Sequence, residues 1–101
     1  MRAEYDSEAD ALSISLIDAP RWEESVVIDD SYCRLELAKG VPVNIELLSP
    51  SKSLHLLDLA AERAGIDPEE VHAAARSALA APDTVVSLTF SAPAGSSDPG
   101  R

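Results

Sequence analysis

Along the first half of the chain, apolar and polar residues alternate with a period of two. Leu12, Ile14 and Leu16 are separated by Ser13 and Ser15, the mark of a strand buried on one face. Val26-Val27-Ile28 forms a second run, stopped by the turn signal Asp29-Asp30-Ser31. Cys33, Leu35 and Leu37 alternate with Arg34 and Glu36, and Lys39-Gly40 follows as a turn because glycine tolerates a positive φ. Val43, Ile45 and Leu47 then alternate with Asn44 and Glu46. With a short opening strand over 2–5, this pattern predicts an antiparallel sheet with one apolar and one polar face.

After Pro50 the period changes. Residues 54–64 lack Gly and Pro, are rich in Leu and Ala, and place their apolar positions on one broad helical face, with Gly65 at the expected C-terminus. A second helix starts at Asp67 as N-cap, with Pro68 in the first turn and Glu70 completing a capping box. Ile66 and Val71 are spaced as a hydrophobic staple across that cap. Val71, Ala74, Ala75, Ala78 and Leu79 form one stripe, and Pro82 stops the helix. Residues 84–90 return to strand character, with Val86, Leu88 and Phe90 on one side.

The fold class is therefore α+β: an antiparallel β-meander of about five strands, a helical hairpin packed on one face, and one further C-terminal strand. Residues 1–91 form a single domain. Residues 92–101, made of Ala, Pro, Gly, Ser, Asp and Arg, form a disordered tail. The predicted buried layer joins Leu12, Ile14, Leu16, Cys33, Leu35, Leu37, Val43, Ile45 and Leu47 to Val71, Ala75 and Leu79.

The residues Tyr5-Asp6-Ser7-Glu8-Ala9-Asp10-Ala11-Leu12, taken with Ile45-Glu46-Leu47-Leu48-Ser49-Pro50-Ser51, carry a resemblance. This stretch, about residues 3–53, resembles a family of small bacterial proteins, domain-of-unknown-function family 2283. Its members run from a Tyr-Asp-x-Glu-Ala-Asp-Ala-Leu strand entry to a closing Ile-Glu-(Ile/Leu)-Leu-x-x-Ser segment. The resemblance implies a compact antiparallel β domain and no activity. The helical second half is then an extension of the family core.

Charge narrows the partners. With 18 acids against 8 bases the net charge is −10, a field that repels phosphate backbones and anionic lipid. Nucleic acid and membrane are thus not expected partners. A single cysteine, Cys33, allows no intrachain disulfide, and no stretch approaches transmembrane length. The N-terminus lacks the apolar run of a signal peptide, so the expected location is the cytoplasm.

No catalytic residue, metal ligand set or cofactor motif is assigned. The acidic cluster Asp6, Glu8 and Asp10 alternates like the opening of a calcium loop but lacks the glycine and the later bidentate carboxylate, and instead suits a turn. Ser49-Pro50-Ser51-Lys52 fits Ser-x-x-Lys without the companion motifs of acyl-enzyme families. Ala61, Gly65 and Val71 have helix-turn-helix spacing, yet the second helix opens on Glu69 and Glu70, with Arg76 its one cation. Cys33, His55 and His72 come singly, unlike zinc ligands, with His72 read as solvated. Trp22, in a polar loop, could anchor a partner, but the favoured reading is a lid folded back over the core.

Two readings from different classes follow. The first is a non-catalytic protein-interaction or assembly module, a homodimer or a binder of a partner protein by strand addition. Its candidate interface is the uncharged segment carrying Val86, Leu88 and Phe90. The alternative is a small carboxylate-dependent hydrolase or metal-binding enzyme using Asp6, Glu8, Asp10 or Glu46. The enzyme needs a pocket where several of these carboxylates converge; the module needs only an exposed edge or apolar patch.

Overall fold

In the computed structural model, which describes residues 1–17, 23–29 and 31–90, each alternating segment becomes a strand. The strands are β1 (Arg2–Asp6), β2 (Ala11–Ser15), β3 (Glu24–Asp29), β4 (Cys33–Ala38), β5 (Val41–Leu48) and β6 (Val85–Ser87). They form one antiparallel sheet in the order β3-β4-β5-β2-β1-β6. The hairpin β1–β2 and the run β3–β4–β5 meet where β2 pairs with β5, and β6 adds to β1. Trp22 and the tail 92–101 lie outside the described residues.

Local chemistry fixes the joints. Lys39 and Gly40 both take positive φ, 52° and 77°, as the two-residue hairpin turn that matches strand twist requires. Pro50 does more than end β5: it opens a short helix, α1 (Pro50–Ser53), behind a left-handed Ser49. Inside that turn, the Ser53 hydroxyl donates to the carbonyls of Leu48 and Ser49 at 2.7 and 3.0 Å. Helix α2 (Leu56–Ala64) ends on Gly65 at φ 72°, whose N–H and that of Ile66 close back on Glu62 and Ala61. Helix α3 (Pro68–Ala80) starts at Asp67, whose carboxylate accepts from the Glu69 N–H at 2.9 Å.

Antiparallel partners share a face, so the sheet reads as rows across the strands. On the helix side one row is Val26–Leu35–Ile45–Ile14–Ala3–Val86, and the next contains Cys33, Leu47, Leu12 and Tyr5. Against them lie Leu57, Ala60 and Ala61 of α2 and Val71, Ala74, Ala75 and Ala78 of α3, all fully buried. The small alanines let both helices approach the sheet closely. Of the twelve expected core residues, Leu37 and Leu79 are only half-buried and the rest are buried. Among the described residues, no helix is long and apolar enough to cross a membrane.

Candidate functional site

Among the described residues, no helix covers the other face of the sheet. One row there is Val27–Arg34–Glu46–Ser13–Glu4–Val85, and its neighbour is Ser25–Glu36–Asn44–Ser15–Arg2–Ser87. Asn44 joins the two rows by hydrogen bonds. The Asn44 amide donates to Glu36 Oε1 at 2.6 Å, and Asn44 Oδ1 accepts from the Ser13 hydroxyl at 3.1 Å. Glu36 is only 5% exposed, although it belongs to the polar face. Burial pushes its carboxyl above the usual range; the Asn44 bond and nearby Arg34 oppose that rise, while Glu46 adds to it. Alternation placed Glu36 on the solvent side, and nothing in the sequence announced its burial.

The acids singled out in the sequence occupy the β1–β2 turn. Asp6 Oδ1 accepts from the N–H groups of Glu8 and Ala9 at 3.0 and 3.1 Å, the side-chain turn expected of it. Asp10, with φ 53°, accepts from the Tyr5 hydroxyl at 2.6 Å. That bond pushes the Tyr5 phenol up from its ordinary value. Glu8 is exposed. Glu46 lines a different hollow of about 230 Å³ with Ser31, Tyr32, Cys33, Arg34 and Leu48. Among the described residues, no group of three or more His, Cys, Asp or Glu side chains is arranged to hold a metal ion.

His72 is less solvated than its position off the apolar stripe suggested. Its Nε2 lies 2.9 Å from Asp58 Oδ1, joining α3 to α2, and the pair lines an open hollow with Pro68, Glu69 and Arg76. With Asp58 69% exposed, such a pair contributes at most about 1 kcal/mol. Helices α2 and α3 pack on each other and on the sheet as a hairpin.

The segment 84–90 is held in place by several bonds. Asp83 receives the Ser7 N–H and hydroxyl at 2.9 and 2.6 Å, which holds its carboxyl below the usual carboxylate range, and its own N–H reaches the Tyr5 carbonyl. Leu88 exchanges two hydrogen bonds with Met1, one in each direction. These anchors fix which side chain faces where. Val86 and Leu88 turn to the helix side and pack against the core, and Phe90 is half-buried. Val85 is 56% exposed and borders a shallow recess with Arg2, Glu4, Ser13 and Ser15 on the open face.

Two of the three residues named for a candidate interface, Val86 and Leu88, thus pack against the core. Val86 and Leu88 support the strand from within, and the free element is its outer backbone. In an antiparallel ladder, bonded pairs alternate with unbonded ones. Since Leu88 bonds Met1, Val86 bonds Ala3 in the same register, and the N–H and C=O groups of Val85 and Ser87 and the N–H of Thr89 point away from β1. Among the described residues, no strand pairs with that edge. In comparisons with known proteins, no family model, no curated protein and no solved structure matches the chain.

Proposed function

We propose that this chain is a non-catalytic interaction or assembly module that engages a protein partner, or a second copy of itself, by strand addition at the outer edge of β6. The observation that carries this reading is the edge strand β6, Val85–Ser87, set in the uncharged segment 84–90 of a chain of net charge −10. Unpaired strand edges are templates for pairing, and proteins that do not use them blunt them with charge, proline or bulges. The opposite edge is blunted in this way: β3 begins with Glu24, ends with Asp29 and has a bulge between Val27 and Asp29. Edge β6 is short, three residues, but has neither charge nor bulge. The acidic surface favours a protein partner over nucleic acid, and a cytoplasmic location and membership of domain-of-unknown-function family 2283 belong to the same reading.

The test is light scattering at micromolar concentration together with affinity capture, comparing the wild type with Ser87→Pro. Because the Ser87 N–H points outward, proline there deletes an edge donor and leaves the β1 ladder intact. The reading expects a complex in the wild type that the variant loses. A monomeric wild type with no partner that depends on this edge contradicts it.

A further inference from the structure

The partner that the β6 edge fits is, we infer, a second copy of the same edge, paired antiparallel about a two-fold axis through Ser87. This rests on the interaction reading above and names its partner. The outward groups belong to Val85, Ser87 and Thr89, a set symmetric about Ser87. Turned on itself antiparallel, the strand sets Ser87 opposite Ser87, and Val85 opposite Thr89 twice. The Ser87 pair is of the hydrogen-bonded kind, and with the strand extended through Thr89 in the complex the two Val85–Thr89 pairs are as well, so every outward donor meets an outward acceptor.

The side chains agree with this register. On the helix side, Val86 faces Leu88 of the second copy, two apolar pairs that extend the row ending at Val86. On the open face, Ser87 meets Ser87 and continues the polar row Glu36–Asn44–Ser15–Arg2–Ser87 into the same row of the other molecule. The six-stranded sheet becomes a continuous twelve-stranded one with isologous contacts.

Charge selects this edge over the other. Self-pairing of β3 brings Glu24 and Asp29 of the two copies together, whereas β6 places no charged residue across the contact. The remaining cost is long-range repulsion between two chains of net charge −10, which salt screens over a Debye length of about 8 Å at physiological ionic strength. Self-association through β6 therefore strengthens with salt. A basic partner on the same edge would weaken with salt.

Cysteine cross-linking tests the register. Residues directly opposite in a hydrogen-bonded antiparallel pair have Cβ atoms about 5.5 Å apart, beyond the roughly 3.5–4.5 Å of an unstrained disulfide, so a short thiol-to-thiol cross-linker is the probe. The one native cysteine, Cys33, is buried. Ser87→Cys should be cross-linked into a covalent dimer by that reagent. Val85→Cys, also exposed and on the same face, should not, because it lies four residues from its own copy.

In sedimentation equilibrium, the wild-type dimer should tighten several-fold between low and high salt. Ser87→Pro should weaken it by about 10-fold or more through two lost hydrogen bonds. Equal cross-linking at 85 and 87 overturns the register. A monomeric wild type with no cross-link at 87 overturns self-pairing. In that event, a salt-weakened partner lost in Ser87→Pro leaves the interaction reading standing, and no edge-dependent partner removes both.

Discussion

Replacing Leu57 by alanine tests whether the helices and the sheet are one cooperative body. Leu57 lies on α2, is 0% exposed, and belongs to the same buried cluster as Leu12, Ile14, Ile45 and Leu47 of the strands. The substitution removes three carbons, a transfer loss of about 2 kcal/mol at roughly 0.8 kcal/mol per methylene, and a cavity adds to it. The neighbouring side chains come from both layers, so the hole cannot collapse without moving the sheet against α3. A loss of about 3 kcal/mol follows, a large part of the roughly 5–15 kcal/mol by which domains are stable. For a domain of this size that lowers Tm by roughly 12–24 °C. Leu59, two residues along the same helix but 38% exposed, is the control, and its alanine variant should lose about 1 kcal/mol or less. Thermal melts followed by far-UV circular dichroism and by a near-UV tertiary signal measure both. Equal losses for the two variants, or helix and sheet signals melting at separate temperatures, would refute a single core.

Three further outcomes follow from named interactions. Asp67→Ala removes the cap on the Glu69 N–H and should cost about 1 kcal/mol, while Asp67→Asn keeps most of it; denaturant titration compares them. Melts recorded with chelator and with millimolar calcium should superimpose, because Asp6 and Asp10 are engaged in the turn; a rise of several degrees with calcium would show a native-state site there. Burial, with a smaller effect from Asp29, pushes the Cys33 thiol from 9.0 up to about 11. Above pH 9 the unfolded thiol therefore loses its proton while the folded one keeps it, so wild-type stability should fall more steeply than that of Cys33→Ala as pH rises from 9 to 11. Parallel slopes in a pH series of melts would contradict this.

Much of the fold was legible because strand alternation and helical stripes report burial directly. Leu12, Ile14, Ile45 and Leu47 were marked by period two, and Val71, Ala75 and Asp67 by helical spacing and capping chemistry. What escaped depended on contacts between distant segments. Glu36 follows the polar pattern of β4, and only the folded sheet surrounds it and sets Asn44 beside it. His72 finds Asp58 only once α2 and α3 pack together.

The same limit explains the candidate interface. The absence of charge in 84–90 could be read from the chain. Which of its residues point inward depended on the register with β1, set by the Leu88–Met1 bonds and the Asp83 anchor. That register also shows that Leu88→Lys disturbs the core and not the edge alone, so Ser87 is the better position to probe.

Amide hydrogen exchange across a range of protein concentrations tests the central claim most directly, because it reads the edge residue by residue. The Val86 and Leu88 amides bond β1 and should be protected at every concentration. The Val85, Ser87 and Thr89 amides should exchange rapidly when the chain is dilute and become protected together as concentration rises into the micromolar range. Rapid exchange at these three positions at all concentrations, beside lasting protection of Val86 and Leu88, would show that the edge stays open and contradict self-pairing.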